Sequence, residues 1–141
     1  HTISDIITIH DYKQDPELFF LTYTDDEKKV LNNMEKHNGK HKLFAEGYRY
    51  NGQPVIMSEY GGIALDSEKG WGYGKQVANE DEFIQRFELL TKNIKKIPYI
   101  SGYCYTQLTD VQQEINGLVD EHRNSKFSKK VEDKIKEINE L

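Results

Sequence analysis

Three short runs of β-branched and apolar residues, each followed by polar or glycine-rich chain and then a stretch of helical period, constrain this sequence most. Residues 3–9, Ile-Ser-Asp-Ile-Ile-Thr-Ile, read as a first, buried strand that closes near His10-Asp11-Tyr12. Pro54-Val55-Ile56-Met57-Ser58 shows no polar alternation before Ser58, which fits a parallel strand covered on both faces. Residues 99–105 form the third run. Between them lie the helices. Asp15 and Pro16 open one over 17–23. A second is expected from Asp25 to about His37, with Val30, Leu31 and Met34 on one face and Asn38-Gly39 as its stop. Asn79 caps a third over Glu80 to Lys96, with Glu82 at the capping-box position and Phe83, Phe87, Leu90 and Ile94 as its apolar stripe. Ser128 caps a last helix carrying Val131, Ile135 and Ile138. Strands alternating with helices predict an α/β fold of parallel strands joined by right-handed crossovers.

The 141 residues predict one domain with its own core. Nineteen basic against 24 acidic residues leave a formal charge of −5, which argues against a nucleic-acid partner. No apolar run reaches the roughly 20 residues of a membrane span. Cys104 stands alone, so neither a disulfide framework nor a thiolate zinc site is expected, and a reducing compartment such as the cytoplasm is slightly favoured. Cys104 itself reads as a core residue. The sequence calls for no cofactor and no metal: His37 and His41 have metal-like spacing, but Asn38-Gly39 breaks the helix they would need.

The long glycine- and aromatic-rich segments follow the strands, at the ends where α/β folds and barrels place their sites. Glu59 is the first candidate. It ends an apolar strand, where a carboxylate is costly unless hydrogen-bonded, and Gly61-Gly62 behind it permit close approach. It reads as a catalytic carboxylate, or else as a strand-end Glu paired with Lys or Arg. Tyr12 ends the first strand similarly, and a phenol beside a carboxylate can donate to it. Trp71 and Tyr73, flanked by glycines, suit stacking on sugar faces, or else anchor their own loop.

Two motifs carry a resemblance. Residues 54–62, PVIMSEYGG, and 102–118, GYCYTQLTDVQQEINGL, resemble glycoside hydrolase family 2, which includes β-galactosidases, β-glucuronidases and β-mannosidases. Residues 5–12, DIITIHDY, resemble strand six of its catalytic barrel, with the other two motifs matching strands seven and eight. The resemblance implies that residues 1–141 are the C-terminal part, about strands six to eight, of a (β/α)8 TIM barrel, with parallel strands inside and helices outside. It implies a retaining mechanism with two carboxyl groups about 5–5.5 Å apart. Glu59 would be the nucleophile and Tyr12 the residue that orients it. His10 would line the sugar pocket, with Tyr105 and Gln107 at the strand-eight mouth and Trp71 on a loop wall.

The family's acid/base Glu lies at the end of strand four, which this chain does not contain. A full barrel takes roughly 250 residues, so about three of eight units are expected here, and the chain alone is expected to lack complete catalysis. Asn79-Glu80 is an Asn-Glu pair, but it opens a helix after strand seven and is rejected as the acid/base. Where the glucuronidase branch carries Asn-x-Lys, this sequence has Glu114-Ile115-Asn116, which favours a neutral carbohydrate substrate such as a β-galactoside. Exposed strand edges predict self-association, or pairing with the rest of the barrel. The competing readings are a non-catalytic sugar-binding or scaffold domain, and a flavodoxin-like domain. The latter lacks a glycine-bearing phosphate loop at residues 10–16.

Overall fold

A computed structural model describes residues 1–33, 42–67 and 69–140. Three parallel strands form one sheet in the order β1 (Ile7–Asp11), β2 (Val55–Gly61) and β3 (Ile100–Thr106). The helices are α1 (Pro16–Thr22), α2 (Glu27–Asn33), α3 (Glu80–Lys96) and α4 (Lys129–Glu140). The strand-and-helix alternation read from the sequence is therefore the architecture, but the first strand begins at Ile7 rather than Ile3, and Ile3 and Ile6 are exposed rather than buried. The expected continuation of α2 through Met34 to Asn38-Gly39, together with His37 and His41, lies outside the described residues.

The helix starts follow their local chemistry. Asp15 Oδ1 accepts from the amides of Glu17 and Leu18, and Asn79 Oδ1 accepts from Glu82 N. Glu82 reaches one residue further than a capping box requires and accepts from Ala78 N at 3.0 Å.

One face of the sheet carries the helix layer. Ile7, Ile9, Val55, Met57 and Tyr60 are buried there in one core with Phe83, Phe87, Leu90 and Ile94 of α3. The Tyr60 and Thr91 hydroxyls meet at 2.7 Å, and the Tyr23 hydroxyl donates to Asp11 Oδ2 at 2.8 Å, so this core leaves its polar groups paired. The opposite face presents Thr8, His10 and Cys104 to solvent. Two expectations are corrected here. The second strand is not covered on both faces, and Cys104 is exposed rather than core. Both follow from strand alternation: Tyr103 and Tyr105 take the helix side of β3, so Cys104 between them takes the open side.

A β-bulge in β2 interrupts this alternation. Ile9 pairs with Met57, but His10 pairs with Glu59, so Ser58 is the extra residue. On the other side Met57 opposes Tyr103 and Tyr60 opposes Tyr105. Without the bulge Glu59 would follow Met57 onto the helix face. With it, Tyr60 turns into the core and Glu59 lies beside His10.

Burial raises the pKa of the Tyr23, Tyr60, Tyr99 and Tyr105 phenols above their ordinary value. A raised folded-state pKa contributes stability that is complete below the unfolded value, near 10, and is lost as pH rises above it. The unfolding midpoint is therefore expected to hold up to about pH 10 and to fall progressively above it, with tyrosinate absorbance appearing in step with unfolding. Tyrosinate absorbance that rises while the midpoint stays level would contradict this.

Candidate active site

The bulge sets Glu59 at the C-terminal end of the central strand, and β1 brings its own end alongside. The Tyr12 hydroxyl donates to Glu59 Oε2, and His10 Nδ1 lies 3.1 Å from the same oxygen. Among the described residues neither Lys nor Arg pairs with Glu59, so the strand-end ion pair considered above is not what holds it. Both contacts fall on Oε2, and among the described residues none falls on Oε1. The carboxylate keeps partial exposure, 39% of its side chain.

Tyr12 is buried. Burial first, and then the hydrogen bond to Glu59, push its phenol well above the ordinary tyrosine range, while a hydrogen bond from the Thr106 side chain pulls the other way. The phenol therefore stays a proton donor throughout the neutral range. Its ring stacks on Tyr73, with centroids 3.5 Å apart and planes within 6°. Trp71 meets Tyr73 edge-on at 5.6 Å and is 45% exposed. Of the two loop aromatics, Tyr73 anchors its own loop and Trp71 presents its ring to solvent.

Gly61 and Gly62 are what allow the strand end to close in this way. Both have φ in the left-handed region, +84° and +63°, which side chains other than glycine's adopt at a cost. A Cβ on Gly61 would lie 2.3 Å from the Tyr105 ring, and one on Gly62 would lie 2.5 Å from the Tyr73 ring.

The predicted site residues divide into two groups. Glu59, Tyr12, His10 and Trp71 are joined through direct contacts or through Tyr73. Tyr105 faces the helix layer, packed edge-on against Tyr60 at 5.7 Å and Phe87 at 5.2 Å, and its hydroxyl accepts from Ile63 N at 3.1 Å. Gln107 Nε2 donates to Asn116 Oδ1 at 3.2 Å. Both set the chain around the site.

Sequence reasoning passed over three supports. Thr106 reaches Tyr12. Gln14 donates to the Gly61 and Tyr12 carbonyls, and Arg86 holds Gln14 Oε1 at 3.1 Å. Gln14 and Arg86 lie 72 residues apart, and nothing local marks them as a pair. Among the described residues no group of three or more His, Cys, Asp or Glu side chains is gathered to hold a metal ion, and no helix is long and apolar enough to cross a membrane.

No protein-family model matches the chain, and no curated protein matches it. Solved structures do. A glycoside hydrolase family 2 β-galacturonidase from Eisenbergiella tayi superposes with a TM-score of 0.60 at 18% identity, over 97% of this chain and 24% of that one. An exo-β-agarase gives 0.60 at 16% identity, over 97% and 16%. A β-D-glucuronidase from Dictyoglomus thermophilum gives 0.55 at 14%, over 97% and 23%. The chain thus spans about a quarter or less of these proteins. At such identities the likeness is one of fold: a three-stranded parallel α/β unit compatible with part of a barrel.

Proposed function

We propose that this chain is the C-terminal part of the catalytic (β/α)8 barrel of a retaining β-glycoside hydrolase of family 2 type, with Glu59 as its nucleophile. The observation that carries the reading is the asymmetry of the Glu59 carboxylate. Oε2 takes both the Tyr12 hydroxyl and His10, while Oε1 has no partner among the described residues. An attacking carboxylate needs one oxygen oriented and the other free. The glycoside hydrolases among the solved structures of like fold support the same reading.

In this reaction Glu59 Oε1 attacks the anomeric carbon, the bond to the aglycone oxygen breaks, and a glycosyl ester forms on Glu59. The departing oxygen takes its proton from an acid/base carboxyl supplied by another part of the barrel. Water, deprotonated by that same group, then releases the sugar and regenerates the carboxylate. Glu80 is not that acid, because both its oxygens are engaged by the Ser128 amide and hydroxyl at 3.0 and 2.6 Å. His10 lines the sugar pocket, and Trp71 forms its wall. Tyr105 and Gln107 shape the mouth from behind.

The substrate is a neutral β-glycoside of the β-galactoside kind. Glu114 stands where a charge-reading Asn-x-Lys motif would be needed for uronic acids, and it is bridged to Trp71. No cofactor takes part.

The test is covalent trapping. A 2-deoxy-2-fluoro β-galactoside with a dinitrophenolate leaving group needs little acid assistance, so the missing acid does not hide a working nucleophile. The expected result is one fluoroglycosyl group on the peptide containing Glu59. Label on another residue, or none on either this chain or its longer gene product, would refute the assignment.

Tyr12→Phe removes one hydrogen bond to a charged oxygen, worth about 1.5–3 kcal/mol. Turnover is expected to fall roughly 10- to 100-fold, with the fold intact. Unchanged turnover would remove Tyr12 from the mechanism.

The partner besides the carbohydrate is the rest of the barrel or, in its place, a second copy of the chain. Among the described residues β1 and β3 each pair only with β2, so each has an outer edge able to accept another strand. Sedimentation of the isolated chain is expected to show concentration-dependent association. A monomer at all concentrations would count against it.

A further inference from the structure

The loop between β3 and α4 contains a partly buried ion pair that the chemistry above does not use. Lys126 Nζ donates to Asp110 Oδ1 at 2.8 Å, to Asp110 Oδ2 at 2.9 Å and to the Ile115 carbonyl at 2.6 Å. The two side chains are only 16% and 12% exposed. An ion pair so far from water is weak evidence for stability, because desolvation offsets its attraction. Its geometry points to another role. Asp110 Oδ1 also accepts from Gly117 N at 2.7 Å, so residues 110, 115, 117 and 126 are gathered around one ammonium.

From this knot a short path leads to the site. Ile115 N donates to the Trp71 carbonyl at 2.9 Å, and Trp71 N donates to the Gln113 carbonyl at 2.7 Å. These two bonds hold the Trp71 backbone to the loop on either side of Glu114. Tyr73 is held differently, by its amide on the Gly62 carbonyl at 2.8 Å and by its stack on Tyr12. The Lys126 knot therefore bears on Trp71, while Glu59, Tyr12 and Tyr73 are fixed independently of it.

We propose that Lys126 is a positioning residue: through Asp110 and the Ile115 carbonyl it fixes the exposed Trp71 ring beside the Glu59 site and so sets the grip on the sugar. The consequence for sugar rests on the glycosidase reading; the placement of Trp71 does not.

Trp71 is the only tryptophan of the chain, so its fluorescence reports its surroundings without ambiguity. In Lys126→Met its emission is expected to shift to the red and its quenching by acrylamide to increase, with the far-ultraviolet circular dichroism unchanged. Lys126→Arg, which keeps charge and donors, is expected to restore the parent signal. Lys134→Met, which removes a surface partner of Glu88 and Glu137, is expected to leave it unchanged. A folded Lys126→Met with the parent's emission and quenching would overturn the proposal. If that variant fails to fold, Lys126→Gln, which keeps a donor but no charge, carries the same test with the same criteria.

The kinetic arm uses dinitrophenyl β-galactoside with the longest gene product that turns it over. There Lys126→Met is expected to raise KM while kcat stays within about twofold, the signature of lost ground-state and transition-state binding alike. A fall in kcat with KM unchanged would overturn the assignment to sugar grip. A red shift in Lys126→Met from a parent that hydrolyses no glycoside would uphold the placement of Trp71 and sink the glycosidase reading instead.

Discussion

Glu59→Gln is expected to lower hydrolysis of dinitrophenyl β-galactoside on the order of 10⁴-fold or more, the scale on which enzymes lose turnover when their nucleophile is removed. The substitution is nearly isosteric. The amide oxygen of Gln can still accept from Tyr12, so the strand end has no reason to rearrange, and His10 keeps its place on the open face of the sheet. What disappears is the charge on the free oxygen, and with it the attack on the anomeric carbon. Dinitrophenolate departs with little protonation, so the measurement isolates the nucleophilic half of the reaction. The midpoint of thermal unfolding should move little, since the residue is partly exposed and makes no apolar contact that the variant loses. A Glu59→Gln protein that retains the parent's turnover would remove Glu59 from the chemistry, whatever its geometry.

Phe83→Ala is expected to cost about 3–5 kcal/mol of folding stability, a large share of the 5–15 kcal/mol typical of a domain. The reason lies in where three parts of the chain meet. Phe83 has no exposed surface. Its ring centroid lies 4.3 Å from Phe127 of the β3–α4 loop, 6.0 Å from Phe87 one turn along α3, and 6.4 Å from Tyr105 of β3. The cavity left by Ala cannot close without moving Phe127, which precedes α4, or Tyr105, whose ring packs over Gly61. Leu89 on the same helix is 46% exposed, and Leu89→Ala is expected to fall within about 0.5 kcal/mol of the parent. Urea unfolding of both variants checks the contrast. Similar costs for the two would mean that the core does not sit where the helix stripe places it.

Much of this architecture was legible in the residues. The start of α3 at Glu80 follows from Asn79, because a cap is decided by the first turn it closes; α4 also begins after Ser128, but the Ser128 hydroxyl donates to Glu80 Oε2 instead of capping the helix. Phe83, Phe87, Leu90 and Ile94 were legible as a buried face, since one helix face meets one partner. The pairing of Glu59 with Tyr12 was legible as a possibility, because both end apolar strands and a phenol suits a carboxylate.

Other features were not legible, for physical reasons that can be named. The capping reach of Glu82 to Ala78, rather than to Asn79, depends on side-chain rotamers. The contacts of Gln14 with Arg86 and of Lys126 with Asp110 join residues far apart or across a loop, where no local period signals them. Cys104 looked apolar enough for a core and lies on the open face of the sheet, because alternation along β3 gives the helix side to Tyr103 and Tyr105.

What the sequence by itself determined, then, is the succession of strands and helices, their caps and apolar faces, and the placing of a lone carboxylate before two glycines. These depend on interactions within a few residues, which the order of side chains specifies directly. What only the tertiary structure decided is the side of the sheet on which that carboxylate stands and the company it keeps. Strand alternation alone would send Glu59 after Met57 into the helix layer. The extra residue at Ser58, seen in the register of β2 with its neighbours, turns it instead toward His10 and Tyr12. A one-residue slip reverses every side chain beyond it, and that reversal is fixed by pairing between strands rather than by any property of the strand alone.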